Sequence, residues 1–98
     1  MGKITAPFHK TGVTLVVPAF NEKDGIGAVL SDLQKVGEDP SVTLEVIVVD
    51  DGSTDGTSSL VDKFSARLIQ HEENMGYGSS LKTGIKNATH ELIGHCSS

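Results

Sequence analysis

Apolar positions along the chain follow two alternating periods. Val13-Thr14-Leu15-Val16-Val17 is a β-branched run closed by Pro18, the composition of a strand buried on both faces. Ile26, Val29, Leu30, Leu33 and Val36 then recur at helical spacing and form one apolar stripe, stopped by Gly37 and Pro40. Leu44 to Val49, interrupted only by Glu45, reads as a second strand that runs into Asp50-Asp51-Gly52-Ser53-Thr54-Asp55-Gly56. A weaker helix with Leu60, Val61 and Phe64 on one side follows, and Arg67 to His71 predicts a short third strand. Asn74-Met75-Gly76-Tyr77-Gly78 opens a third helix carrying Tyr77, Leu81, Ile85 and Ala88, and Leu92 to Cys96 predicts a fourth strand.

The order is β-α-β-α-β-α-β, with strands roughly 20–30 residues apart, as right-handed parallel crossovers require. The fold class is therefore α/β: a parallel Rossmann-like sheet of about four strands with helices on both faces. Residues 1–12 lack periodicity and read as an N-terminal arm. Ligands of such sheets bind outside the carboxyl ends of the strands. That geometry selects Pro18–Glu22, Asp50–Asp55 and Ser97–Ser98 as the functional edge. A last strand at an uncovered edge is one that natural domains protect. The chain reads as the front half of something larger, completed by a C-terminal part or by a second copy against the exposed sheet edge.

Composition narrows the classes. Ninety-eight residues make one domain, and 13 acids against 8 bases give a net charge of −5, which disfavours nucleic-acid footprints and polybasic membrane patches. The single cysteine, Cys96, cannot form an internal disulfide, and no paired-thiol zinc pattern exists. No apolar run reaches the ~20 residues of a spanning helix, and the first residues lack a signal-peptide core. A cytoplasmic setting is the default expectation.

The acidic turn holds the candidate chemistry. Ser53, Thr54 and Asp55 suit a helix cap, and Asp50 divides evenly between a structural role and ligand contact. One cap needs one acceptor, so Asp51 is left to accept hydrogen bonds from a base N–H or ribose hydroxyls. Asp51, Ser53, Asp55, Gly56 and Asp62 also approach a calcium-loop pattern, but a strand precedes it and an Asp stands where a bidentate Glu belongs. Gly25-Ile26-Gly27 and Gly76-Tyr77-Gly78 each begin a dinucleotide fingerprint whose third glycine is replaced by Leu30 or Leu81. An NAD(P)-dependent Rossmann oxidoreductase is thus the alternative enzyme, and a non-catalytic nucleotide-binding module the alternative outside enzymes. His71, His90 and His95 have no defensible metal-ligand spacing, and the residues supply no metal site.

Val17-Pro18-Ala19-Phe20-Asn21-Glu22, Val48-Val49-Asp50-Asp51-Gly52-Ser53-Thr54-Asp55-Gly56-Thr57 and Asn74-Met75-Gly76-Tyr77-Gly78 together resemble the N-terminal half of family 2 glycosyltransferases with the GT-A fold. The flavour is nearest the dolichol-phosphate or polyprenol-phosphate mannosyl- and glucosyltransferases. The resemblance implies that 13–98 is the nucleotide-sugar-binding half of such a domain, truncated at its C-terminus. It implies a UDP- or GDP-linked donor, with Pro18, Ala19, Phe20, Glu22, Asp50, Asp51 and Gly76 as the nucleotide-binding set. Phe20 reads equally as core filler and Glu22 as a first-turn helix acid. Asn74 matches the family's loop after the third strand, and Lys82 stands where the family often has a basic residue, although a solvated helix face fits it better. The family's metal-binding D-x-D pair follows the fourth strand, where this sequence has Ser97-Ser98. Mg²⁺ or Mn²⁺ is therefore expected for the full-length enzyme and not for this chain. The general base is unknown, and the chain by itself is expected to be inactive.

Overall fold

The computed structural model describes residues 11–90 and 92–95. The elements run β1 (Thr11–Ala19), α1 (Ile26–Gly37), β2 (Val42–Asp50), α2 (Thr57–Val61), β3 (Arg67–Gln70), α3 (Tyr77–Lys86) and β4 (Leu92–His95). The four strands form one parallel sheet in the order β3-β2-β1-β4. β1 and β2, the long central pair, are in register from Thr11↔Val42 to Ala19↔Asp50. Their carboxyl ends therefore stop side by side, and the loops that follow start from the same edge.

Alternation along the strands divides the core into two layers. Val17, Ala19 and Val48 pack against Ile26, Leu30 and Val61 under α1 and α2. Val16, Ile47 and Val49 face the other way and meet Ile69 of β3 and Leu81 of α3. Helices thus cover both faces.

Several boundaries differ from the sequence reading. Thr11 and Gly12 belong to β1 rather than to an arm, and residues 1–10 lie outside the described residues, as do Cys96 and Ser97–Ser98. Pro18 does not end β1, which continues to Ala19. The Asp51 N–H donates to the Ala19 carbonyl at 2.8 Å, so the polar groups of Ala19 face β2. By alternation the proline's missing N–H falls on the opposite side and costs the β1–β2 ladder nothing. α2 is a single turn that stops at Val61, leaving Phe64 beyond the helix while its ring still packs on the core.

The stripe expected on α3 is the largest difference. Tyr77 and Ile85 are each 51% exposed, whereas the buried positions are Ser80 and Gly84. A Cβ at Gly84 would overlap the Val16 side chain. The helix lies so close to β1 that only small residues fit beneath it. Leu81 alone of the expected stripe reaches the core.

Candidate functional site

The loop after β1 and the loop after β2 are tied together by their own polar groups. Asn21 has φ 50°, a left-handed conformation that asparagine tolerates better than most residues. In that pose its N–H donates to Ser53 Oγ at 2.8 Å, and its Oδ1 accepts from the Thr54 N–H at 2.9 Å. The Glu22 N–H donates to Thr57 Oγ1 at 3.0 Å, and the Lys23 N–H to Asp55 Oδ2 at 3.1 Å. Asp55 also accepts from the Thr57 N–H at 3.0 Å and from the Thr57 hydroxyl. Those hydroxyl and backbone donors hold the Asp55 carboxyl below its usual range.

The twin aspartates have separate jobs. Asp50, 2% exposed, accepts from the Ser53 N–H at 3.0 Å and closes the turn. Asp51, 4% exposed, reaches instead to the loop between β3 and α3. Its Oδ1 accepts from the Met75 N–H at 2.9 Å and from His71 Nδ1 at 2.7 Å, and its Oδ2 accepts from the Gly76 N–H at 2.9 Å. Burial pushes the Asp51 carboxyl up, but these donors outweigh it and hold the group below the ordinary carboxylate range. Gly52 brings the same loop close: at φ +82°, a Cβ there would lie 2.7 Å from both Glu73 C and Asn74 N.

Together these loops enclose a cleft of about 290 Å³ at the carboxyl ends of β1 and β2. Pro18, Ala19, Phe20, Glu22, Asp51 and Gly76 of the sequence-selected set line it. Asp50 does not; it sits behind the turn. Asn74, Tyr77 and Ser80 complete the lining. Phe20 is 45% exposed, so it is a wall of the cleft and not core filler. A larger cleft of about 400 Å³ lies under α1, among Leu33, Leu44, Val46 and Phe64. It is the weaker candidate, because it lies away from the loops where polar groups converge. Among the described residues no group of three or more His, Cys, Asp and Glu side chains could hold a metal ion.

Sequence reasoning assigns no role to Gly52, Thr57, His71 or Thr83, and gives Asn21 and Ser53 less than they carry. Asn21 and Gly52 have a local signal, as residues suited to left-handed backbone beside strand ends. The His71 contact has none, since its partners come from the turn after β2 and from α3. The spare capacity assigned to Asp51 is also smaller than expected. Three protein donors occupy most of the roughly four lone-pair directions a carboxylate offers.

Comparison with known proteins identifies the family and the fold. The model of Glycosyl transferase family 2 matches residues 14–96, and the chain belongs to that family. It is 36% identical over 90 residues to a dolichyl-phosphate β-glucosyltransferase of Trichomonas vaginalis, covering 82% of this chain and 27% of that one. Glucosyl-3-phosphoglycerate synthase from Mycobacterium tuberculosis, solved with Mn²⁺, UDP and glucosyl-3-phosphoglycerate, superposes with a TM-score of 0.77 at 27% identity, over 91% of this chain and 33% of that one. A mannosyltransferase from Pyrobaculum calidifontis, solved with GDP-Man and Mn²⁺, gives 0.75 at 32% identity, over 87% and 26%. The fold is that of the GT-A glycosyltransferases, and the chain spans about a third or less of these relatives' length.

Proposed function

We propose that this chain forms the donor-nucleotide half of a sugar-transferring enzyme that uses a UDP- or GDP-linked sugar. The observation that carries the reading is the junction of the 18–23 and 50–57 segments, which frames one cleft with the 71–77 loop. Phe20 offers an aromatic face to a base, and Asp51 retains an acceptor direction for a base N–H. The whole enzyme moves the sugar from the nucleoside diphosphate to a hydroxyl or a lipid phosphate. By analogy with the family this is a single inverting displacement, and a divalent ion such as Mg²⁺ or Mn²⁺, if bound by the whole enzyme, would supply charge neutralisation. The described residues bring no acidic cluster together for that ion. No general base or acceptor site is assigned among the described residues, and the property expected of this chain is nucleotide binding.

The dinucleotide alternative is disfavoured by Gly25, which is the N-cap of α1 and stands well past the end of β1, where it cannot make a tight phosphate turn. Calorimetric titration with UDP, GDP and NAD separates the readings. UDP or GDP binding is expected, with Phe20→Ala weakening it by about 1–3 kcal/mol through lost stacking. Because Phe20 is exposed and outside the core, that variant keeps the fold. Binding of NAD without UDP or GDP, or of none of them, contradicts the reading.

A further inference from the structure

His71 joins the cleft to the α3 layer. Its ring is largely buried, with a side-chain exposure of 12% against 5% for Asp51. Nδ1 lies 2.7 Å from Asp51 Oδ1, and Nε2 lies 2.9 Å from Thr83 Oγ1 on α3. An ionised carboxylate only accepts, so Nδ1 carries the proton toward Asp51. In the neutral ring Nε2 then accepts from the Thr83 hydroxyl. In the charged ring Nε2 donates to that same oxygen, and only the hydroxyl rotor turns. Both charge states are therefore satisfied without moving the imidazole. The His71 N–H is fixed too, donating to the Asp50 carbonyl at 2.8 Å.

The other charged groups on the surrounding elements engage elsewhere or stand in solvent. Asp50 bonds to Ser53, Lys82 and Lys86 are exposed on α3, and Glu72 and Glu73 are exposed in the loop. Asp51 is the charged group in contact with the ring, and it is also the group that ties Met75 and Gly76 to the cleft.

We propose that His71 is a positioning residue of the nucleotide cleft: it fixes the Asp51 carboxylate and, through it, the Met75–Gly76 wall. That the wall belongs to a nucleotide cleft rests on the reading given above.

The test compares wild type with His71→Asn, which keeps an N–H toward Asp51, and with His71→Phe, which keeps a ring but no donor. In the ligand-free chain, amide exchange at Met75 and Gly76 is expected to speed about tenfold or more in His71→Phe and to recover in His71→Asn. In calorimetric titrations with UDP and GDP, affinity is expected to fall about three- to tenfold in His71→Phe and to recover in His71→Asn. Unchanged loop exchange in His71→Phe, or no recovery in a folded His71→Asn, overturns the positioning role. If no protein binds UDP or GDP while the loop amides respond as described, the nucleotide reading fails and the positioning role stands.

Discussion

The two sides of the cleft are held by opposite strategies. On one side, the 20–23 and 53–57 segments exchange several bonds between backbone N–H groups and short side chains, most of them solvent-exposed. On the other, the 71–76 loop hangs on one buried carboxylate, Asp51, and on a backbone approach that only Gly52 permits. Spreading the work over many modest bonds gives a side that survives any single loss. Concentrating it gives a side whose loss is costly, because buried donors are then left unpaired.

Substitutions at the concentrated side should therefore do the most damage. Gly52→Ala combines a left-handed φ with overlap on the Glu73 and Asn74 backbone, and should cost about 3 kcal/mol in urea denaturation. Asp51→Asn, which turns two paired acceptors into one acceptor and a misdirected donor, should cost about 2–3 kcal/mol. It should also change the acid limb. The native Asp51 carboxyl is held low, so its stabilisation is fully present above the unfolded carboxylate value and is lost as pH falls through the lower native one. Wild type should thus weaken on acidification below about pH 4, and Asp51→Asn should weaken less steeply across the same steps. On the distributed side Asn21→Ala should cost only about 1 kcal/mol, since it removes the Thr54 bond and a residue suited to φ 50°. Ser53→Ala should cost about 0.5 kcal/mol, the exposed Asn21 N–H finding water instead. Equal losses on both sides would erase the distinction.

What the sequence reveals follows the same division. The β-branched runs at Val13–Val17 and Leu44–Val49 and the stripe from Ile26 to Val36 state their periods locally, and the sheet and α1 follow from them. The twin aspartates are visible as carboxylates at a strand end, where no core needs them. The buried face of helix α3 is not legible, because it consists of Ser80 and Gly84, and close packing by small residues leaves no hydrophobic signal. The division of labour between Asp50 and Asp51 is hidden as well. It depends on the Met75 and Gly76 amides and on His71, groups brought to the strand end by the crossover rather than by adjacency.

Nucleotide binding at this edge requires above all that the three loops form one nucleoside site. Adding UDP or GDP to the ¹⁵N-labelled chain and following every backbone amide tests this directly. The amides of Ala19–Glu22, Asp51–Ser53 and Asn74–Tyr77 are expected to shift together along one binding curve. Shifts confined to the residues under α1, around Leu33, Leu44 and Phe64, would contradict it.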